Sequence, residues 1–426
     1  MSSAPLFSEG YAAKCDREDA LAGFRSEFLF PQINGKDAVY FCGNSLGLQP
    51  KSTQTEILQE LNDWHHLGVE GHVHAQRPWV SYHEQFAPLL GPLVGANETE
   101  VVAMNALTVN IHLLMVSFYR PTGKRFRIIC EAKAFPSDQY ALESQVRMHG
   151  MEPSEVIREI APQAGKDTID QADVLRAIAE EGDQLALVFI GGVNYYSGQV
   201  FDMERITHAA HAVGAVAGFD LAHAIGNVEL QLHRWNVDFA AWCSYKYLNS
   251  GPGSVAGVFV HEKHCTRKDV FRLTGWWGHN KTRRFLMEPD FEPIPTAESW
   301  QMSNAPVLSM AAHLASLKLF ERAGMQNLIT KSKALTGYAD QLLTQVLQNQ
   351  SANPLFKIIT PAERGCQLSL LFLRNGKRVF EYLLEKGIIA DWREPDVIRI
   401  APVPLYNSFS DVYLFALALN EFNDTY

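Results

Sequence analysis

The chain has 426 residues, 47% apolar, 20% charged and 11% aromatic, with a formal net charge of −10. That size supports a large core and two domains, or one large domain with a satellite. No long basic run occurs, which argues against nucleic acid as a partner. No apolar stretch approaches the ~20 residues needed to span a bilayer, so no membrane is expected either.

Six cysteines (Cys15, Cys42, Cys130, Cys243, Cys265 and Cys366) are scattered without a C-x-x-C pair. They read as reduced thiols of a cytoplasmic protein, not as a disulfide framework or a zinc site. The N-terminal residues lack the basic start and apolar core of a signal peptide.

In chain order, residues 12–28 predict an amphipathic helix with Asp16 as a cap. "GNSLGLQP", which contains Ser45, follows the short apolar stretch "AVYFC" and reads as a turn whose backbone geometry matters. Helical patterns follow over Lys51–His66 and around Trp79–Leu90. The histidines of "HHLGVEGHVHA" between them have no metal-binding spacing. "NALTVNIHLLMVSF" is a loop entering a buried helix, with Thr108 near its start.

From Arg125 the rhythm changes. "RFRIICE", "LALVFIGG", "AVAGFDLAH", "VDFAAWCSY" and "SVAGVFVHE" are short apolar strand candidates. The first four alternate with helical spans at Asp138–Met148, Ile169–Glu180 and Met203–Ala212. Such alternation predicts an α/β domain with a mostly parallel sheet flanked by helices. Ligands sit at the carboxyl ends of such strands. Past Asn304 come a long helix, a second over Ile329–Gln348, then "LSLLFL", "RVFEYLLEKG", "VIRIAP" and a final helix, a smaller α+β domain. The predicted division is an N-terminal segment, 1–40, packing with the small domain; a large domain, 41–303; and a small domain, 304–426.

The chemistry gathers around "WCSYKYLNSGPGSVAG". Lys246 lies between two tyrosines, where desolvation can lower a lysine pKa and make it a Schiff-base nucleophile. Taken alone, such a lysine is more often structural. Asp220 ends the apolar stretch "AVAGFD", with His223 three residues on. A carboxylate there needs a cation or strong donors, and the protonated ring nitrogen of pyridoxal phosphate is one such partner; a helix cap is the alternative. Thr108 and the backbone at Leu107 offer a helix N-terminus to a phosphate, or an ordinary cap. In "EAKAFPSDQY", Phe135 can stack on a flat ring or pack in the core, and Asp138 adds a second carboxylate.

Together these stretches resemble the kynureninase family, fold-type-I pyridoxal phosphate enzymes of the aminotransferase class V group. The similarity rests on "GNSLGLQP", "GHVHAQRPW", "AFPSDQYALESQ", "GFDLAHAIGNVELQLHRWNVDFAAWCSYKYLNSGPG", "GWWGH" and "IRIAPVPLYNSFSDVY", and covers nearly the whole chain. It implies hydrolytic cleavage of L-kynurenine or 3-hydroxy-L-kynurenine to anthranilate or 3-hydroxyanthranilate plus L-alanine. By position, Lys246 would carry the cofactor as a Schiff base and move the Cα proton, and Tyr245 would relay a proton to the alanine side. Asp220 would pair with the ring nitrogen, near His223 and Asp138. Phe135 would stack on the ring, followed by Pro136 and Ser137, while Leu107, Thr108 and Tyr245 would hold the phosphate end. Trp276 and Asn304 would reach the site from the partner subunit of a homodimer.

For the substrate, Arg399 is the natural carboxylate clamp, because a planar fork suits a bidentate bond. A surface ion pair is its alternative. His72, Ser303 and Asn304 would line the aromatic end of the substrate, and Ser45 would approach it or serve the turn. Gly191 stands where relatives often carry serine, so no side-chain role transfers there. Two rivals differ in one feature each. A cysteine desulfurase or selenocysteine lyase needs a mobile-loop cysteine, whereas Cys366 precedes an apparent strand. A catalytically silent binding protein would not need Lys246, Asp220, Arg399 and Tyr245 together.

Overall fold

The computed structural model describes residues 5–350 and 353–422. Its first helix, α1 (Glu9–Glu18), starts earlier than the amphipathic pattern predicts and is capped by Ser8, whose Oγ accepts from Tyr11 N. It ends at Asp19, which turns extended and accepts from Leu21 N at 2.9 Å. Such a local side-chain bond competes with helix continuation, so residues 22–27 form a 3-10 turn instead. Asp16 is a cap, but of the last helix in the chain: it accepts from Phe409 N at 2.6 Å and Ser410 N at 3.1 Å. Helix α2 (Thr53–Leu67) follows.

Seven strands build the large sheet: β1 (Val101–Ala103), β2 (Arg127–Glu131), β3 (Ile157–Ile160), β4 (Leu185–Gly191), β5 (Val216–Asp220), β6 (Phe239–Trp242) and β7 (Gly257–Val260). Their order is β1-β7-β6-β5-β4-β2-β3. From β3 to β6 every pairing is parallel, whereas β7 runs antiparallel to both neighbours. Helices α3 (Leu107–Phe118), α4 (Pro136–Met148), α5 (Gln171–Glu181) and α6 (Met203–Ala212) flank it.

The inner parallel strands β2, β4, β5 and β6 are buried on both faces, as crossover helices require, whereas the edge strand β3 leaves Glu159 exposed. Along β4, Leu187 and Phe189 belong to one apolar core and Val188 and Ile190 to the other. Two strands lie outside the expected set: β1 has only three residues, and β3 interrupts its apolar ends with Arg158 and Glu159.

Helix α7 (Val307–Ala323) packs into the large core through Met310, Leu314 and Phe320. Helix α8 (Met325–Asn349) crosses over: Leu328 belongs to the large core, Leu335 and Leu342 to a third one. That third core lies on an antiparallel sheet, β8 (Phe356–Ile358), β9 (Leu368–Phe372), β10 (Asp391–Arg393) and β11 (Val397–Ile400), in the order β8-β9-β11-β10. Helices α9 (Gly376–Glu385) and α10 (Phe409–Glu421) complete it. The N-terminal segment contributes to both sides. Ala12, Val39 and Phe41 enter the third core, and Leu21, Phe28 and Tyr40 the large one. Phe41, fully buried against Phe415, would cost about 3–5 kcal/mol if cut to alanine.

Candidate active site

Three carboxyl-end residues share one rim of the large sheet. Glu131 ends β2, Gly191 ends β4 and Asp220 ends β5, with Asp220 and Gly191 ladder partners. Beyond β6 the chain turns to bring Tyr245 and Lys246 to the same place. The starts of α3 and α4 close the sides, so Leu107, Thr108, Phe135, Ser137, Asp138, Asp220, His223, Tyr245 and Lys246 all line one cavity. A parallel sheet places a ligand there because its strand ends and helix N-termini converge.

Lys246 Nζ lies 3.0 Å from His223 Nε2 and 5.7 Å from the centre of the Phe135 ring. Burial, then the Lys246 charge, holds His223 well below the usual histidine range. Its ring is therefore neutral and accepts from the lysine. Opposite stands an acidic wall. Burial and the facing Asp220 charge push Asp138 well above the usual carboxyl range. Asp220 is raised by burial but held back by Lys246 and by the Ala222 N–H, which its Oδ1 accepts at 2.7 Å. The proton of the pair therefore rests on Asp138 and the charge on Asp220. Burial also keeps the Tyr245 phenol protonated.

The backbone makes room for this arrangement. Gly47, in the turn after "AVYFC", donates its N–H to the Tyr245 carbonyl at 2.9 Å, and a Cβ there would collide with the Lys246 carbonyl and Asn249. After Lys246, Asn249, Gly251 and Gly253 all take positive φ, which turns the chain back toward β7.

These residues fit pyridoxal phosphate. Buried polar atoms at Asp138 Oδ1 and His223 Nδ1 have no hydrogen-bond partner within the chain, and the acidic wall calls for a cation such as a protonated pyridine. The α3 N-cap, Ala106, offers no side-chain acceptor, so the N–H groups of the first turn, together with the Thr108 hydroxyl, remain for an anion.

Other candidate residues lie apart. Pro136 starts α4 without lining the cavity. Arg399 is fully buried, not a surface ion pair; its guanidinium is held by Asp391 and by the Tyr195 carbonyl, and only Tyr195 reaches the cavity. Ser45 serves its turn, donating its N–H to the Cys42 carbonyl at 2.8 Å. His72 and Asn304 line a separate cavity with Trp79, Ser303 is exposed, and Trp276 is 46% exposed. Two polar residues of the cavity escaped the sequence reading, Glu131 and Tyr195, the latter with its ring edge-on to Phe135 at 5.3 Å.

A lysine beside an aromatic ring, an acidic wall and a helix N-terminus with free donors, all on one sheet rim, fit a pyridoxal phosphate enzyme of fold type I. The chain matches the aminotransferase class-V model over residues 39–355 and the kynureninase C-terminal domain model over residues 328–419. It is 55% identical to a kynureninase of Christiangramia forsetii over 96% of this chain and 97% of that one, and 52% identical to that of Myxococcus xanthus over 97% and 96%. Among solved structures, a complex of the cystine C–S lyase C-DES superposes with TM-score 0.73 at 17% identity, covering 91% of this chain and 98% of that one. The cysteine desulfurase CsdA of Escherichia coli gives 0.73 at 16%, covering 93% and 97%; both likenesses concern the fold. The chain belongs to the kynureninase family, and is a pyridoxal-phosphate-dependent hydrolase.

Proposed function

We propose that this cavity cleaves the Cβ–Cγ bond of L-kynurenine or 3-hydroxy-L-kynurenine with water, releasing anthranilate or 3-hydroxyanthranilate and L-alanine. The observation that carries the proposal is Lys246, poised on a neutral histidine and facing the Asp138–Asp220 wall. Bound there, pyridoxal phosphate supplies a carbonyl that condenses with amines and a protonated ring that draws electron density from the substrate's Cα. Asp220 holds the ring nitrogen protonated, Phe135 covers the ring face, and Leu107, Thr108 and Tyr245 hold the phosphate. The Lys246 amine, once displaced by the substrate amine, would take the proton from the substrate Cα. Water adds to the side-chain carbonyl carbon, and as the Cβ–Cγ bond breaks the Tyr245 phenol would deliver its proton to Cβ and regain one from the added water. Arg399 holds the α-carboxylate, trading its bond to the Tyr195 carbonyl for one to the substrate.

The same proposal includes a homodimer. Trp276 is exposed and flanked by Phe285, Leu286 and Met287, all more than half exposed, an apolar surface of the kind that marks an interface. Trp276 and Asn304 of one subunit, with His72 and Ser303, would then complete the cavity of its partner. Cytoplasmic residence is supported by six unpaired thiols; no helix among the described residues is long and apolar enough to cross a membrane. Against a desulfurase stands Cys366, which is 1% exposed and whose thiol burial pushes up to about 12.

An anthranilate-fluorescence assay with both substrates, using Lys246→Ala as the blank, tests the reading. Product from wild type alone is expected; equal signals from wild type and blank would refute it.

A further inference from the structure

Glu131 has no part in the steps above, yet it is 4% exposed and lines the cavity beside Asp138 and Asp220. Its carboxyl accepts the Gly191 N–H, with Oε2 at 3.0 Å and Oε1 at 3.3 Å. Gly191 is the ladder partner of Asp220, and the next residue, Gly192, donates its N–H to the Asp220 carbonyl at 2.7 Å. Glu131 thus grips the backbone that grips Asp220. A Cβ at position 191 would lie 3.0 Å from Glu131 Oε1, so the bare glycine is what lets the carboxyl seat against the strand.

We propose that Glu131 is a further positioning residue for this reaction, acting through Asp220: it locks the end of β4 and adds a carboxyl to the wall facing the ring nitrogen. The inference rests on Asp220 being the partner of that nitrogen. The titratable and charged groups facing Glu131 are Asp220 from β5, Asp138 from α4, His223 from the turn after β5, and Tyr245 and Lys246 from the turn after β6. Tyr195 closes the remaining side, with Arg399 behind it. Among the residues lining the cavity, three are carboxyls and one, Lys246, is a cationic side chain. Burial pushes Glu131 up to about 7, against the opposing Gly191 N–H, and the Asp220 charge adds to the rise. Its negative charge therefore appears as pH climbs through neutrality, and it favours the protonated forms of both ring nitrogen and Schiff base.

Glu131→Gln separates this role from plain packing, because glutamine keeps an acceptor for Gly191 N–H while removing the charge. Wild type and variant, loaded with pyridoxal phosphate, are reduced with borohydride and mapped, then titrated by the visible absorbance of the bound cofactor. Both should label at Lys246, and the variant's titration midpoint should fall by about one pH unit. A labelled wild type with an unchanged midpoint in the variant overturns this inference alone. A wild type unlabelled at Lys246 overturns the functional reading and this inference with it. Should the variant not fold, infrared spectra of wild type carrying 13C-glutamate decide: a glutamic-acid carbonyl band vanishing between about pH 6 and pH 8 is expected, and its absence overturns the proposal.

Discussion

Lys246 Nζ and His223 Nε2 are 3.0 Å apart, and the imidazole is buried with its Nδ1 unpartnered. A neutral ring in that position can accept only through Nε2, so Nδ1 carries the hydrogen and stands as a buried donor without a partner in the chain. The histidine orients the lysine and keeps a second ammonium-like charge out of the site.

His223→Leu should therefore slow recharging of the cofactor-free enzyme with pyridoxal phosphate and lower kcat by about a hundredfold, the scale of losing an aid to proton transfer. Stopped-flow absorbance measures the first and single-turnover product release the second. A variant that recharges and turns over like wild type would contradict the orienting role.

The proposed carboxylate clamp requires Arg399 to exchange its bond to the Tyr195 carbonyl for one to the substrate. Arg399→Lys, which loses the planar fork, should raise KM about 10–100-fold, the worth of a charged hydrogen bond, with kcat less affected. The analogue of the substrate lacking its α-carboxylate should not distinguish the two proteins. Asp391→Asn leaves the buried guanidinium without its counter-charge and should cost about 3–5 kcal/mol of stability, read by urea unfolding.

The proposed homodimer with shared sites predicts complementation. Lys246→Ala subunits and Trp276→Ala/Asn304→Ala subunits, each inactive alone, should regain up to about a quarter of wild-type activity after mixed reassembly. Half of random dimers are then hybrids, and each hybrid has one intact site of two. No recovery in verified hybrids would argue that each subunit is self-sufficient.

His313 supplies a test of stability. It is fully buried on α7 without a hydrogen-bond partner, and burial holds it down at about 3. Its folded pKa lies below the unfolded value near 6.5, so the stability it permits is intact above that value and erodes as pH falls toward 3. From pH 6.5 to pH 5 this costs about 2 kcal/mol. His313→Leu should flatten that part of the pH profile in urea unfolding.

The sheet and much of the cavity could be read because the signals were local. Asp220 ends an apolar strand and Lys246 follows the next one, so spacing alone put both at one rim. Glu131 carried the same signal, a carboxylate closing "RIICE", and was passed over because the residues after it, Phe135 and Asp138, looked more chemical. The pairing of Arg399 with Asp391 was hidden for another reason. They face each other across β10 and β11 in register, which becomes visible only once the intervening turn is recognised. Tyr195 could not be found at all, since nothing but tertiary packing brings its ring to Phe135. The first helix was misplaced because Asp16 looked like a local cap while its partners lie 393 and 394 residues away.

That last contact bears on how the protein is made. Asp16 caps α10, and Val39 and Phe41 share a core with Leu419 and Phe415, so α1 and the stretch around Phe41 wait for α10. During synthesis the large sheet can assemble while the ribosome is still reading, but the smaller lobe cannot close until the final helix has emerged. A nascent chain stalled before Phe409 would leave Ala12, Val39 and Phe41 without the helix that completes their core, open to a chaperone.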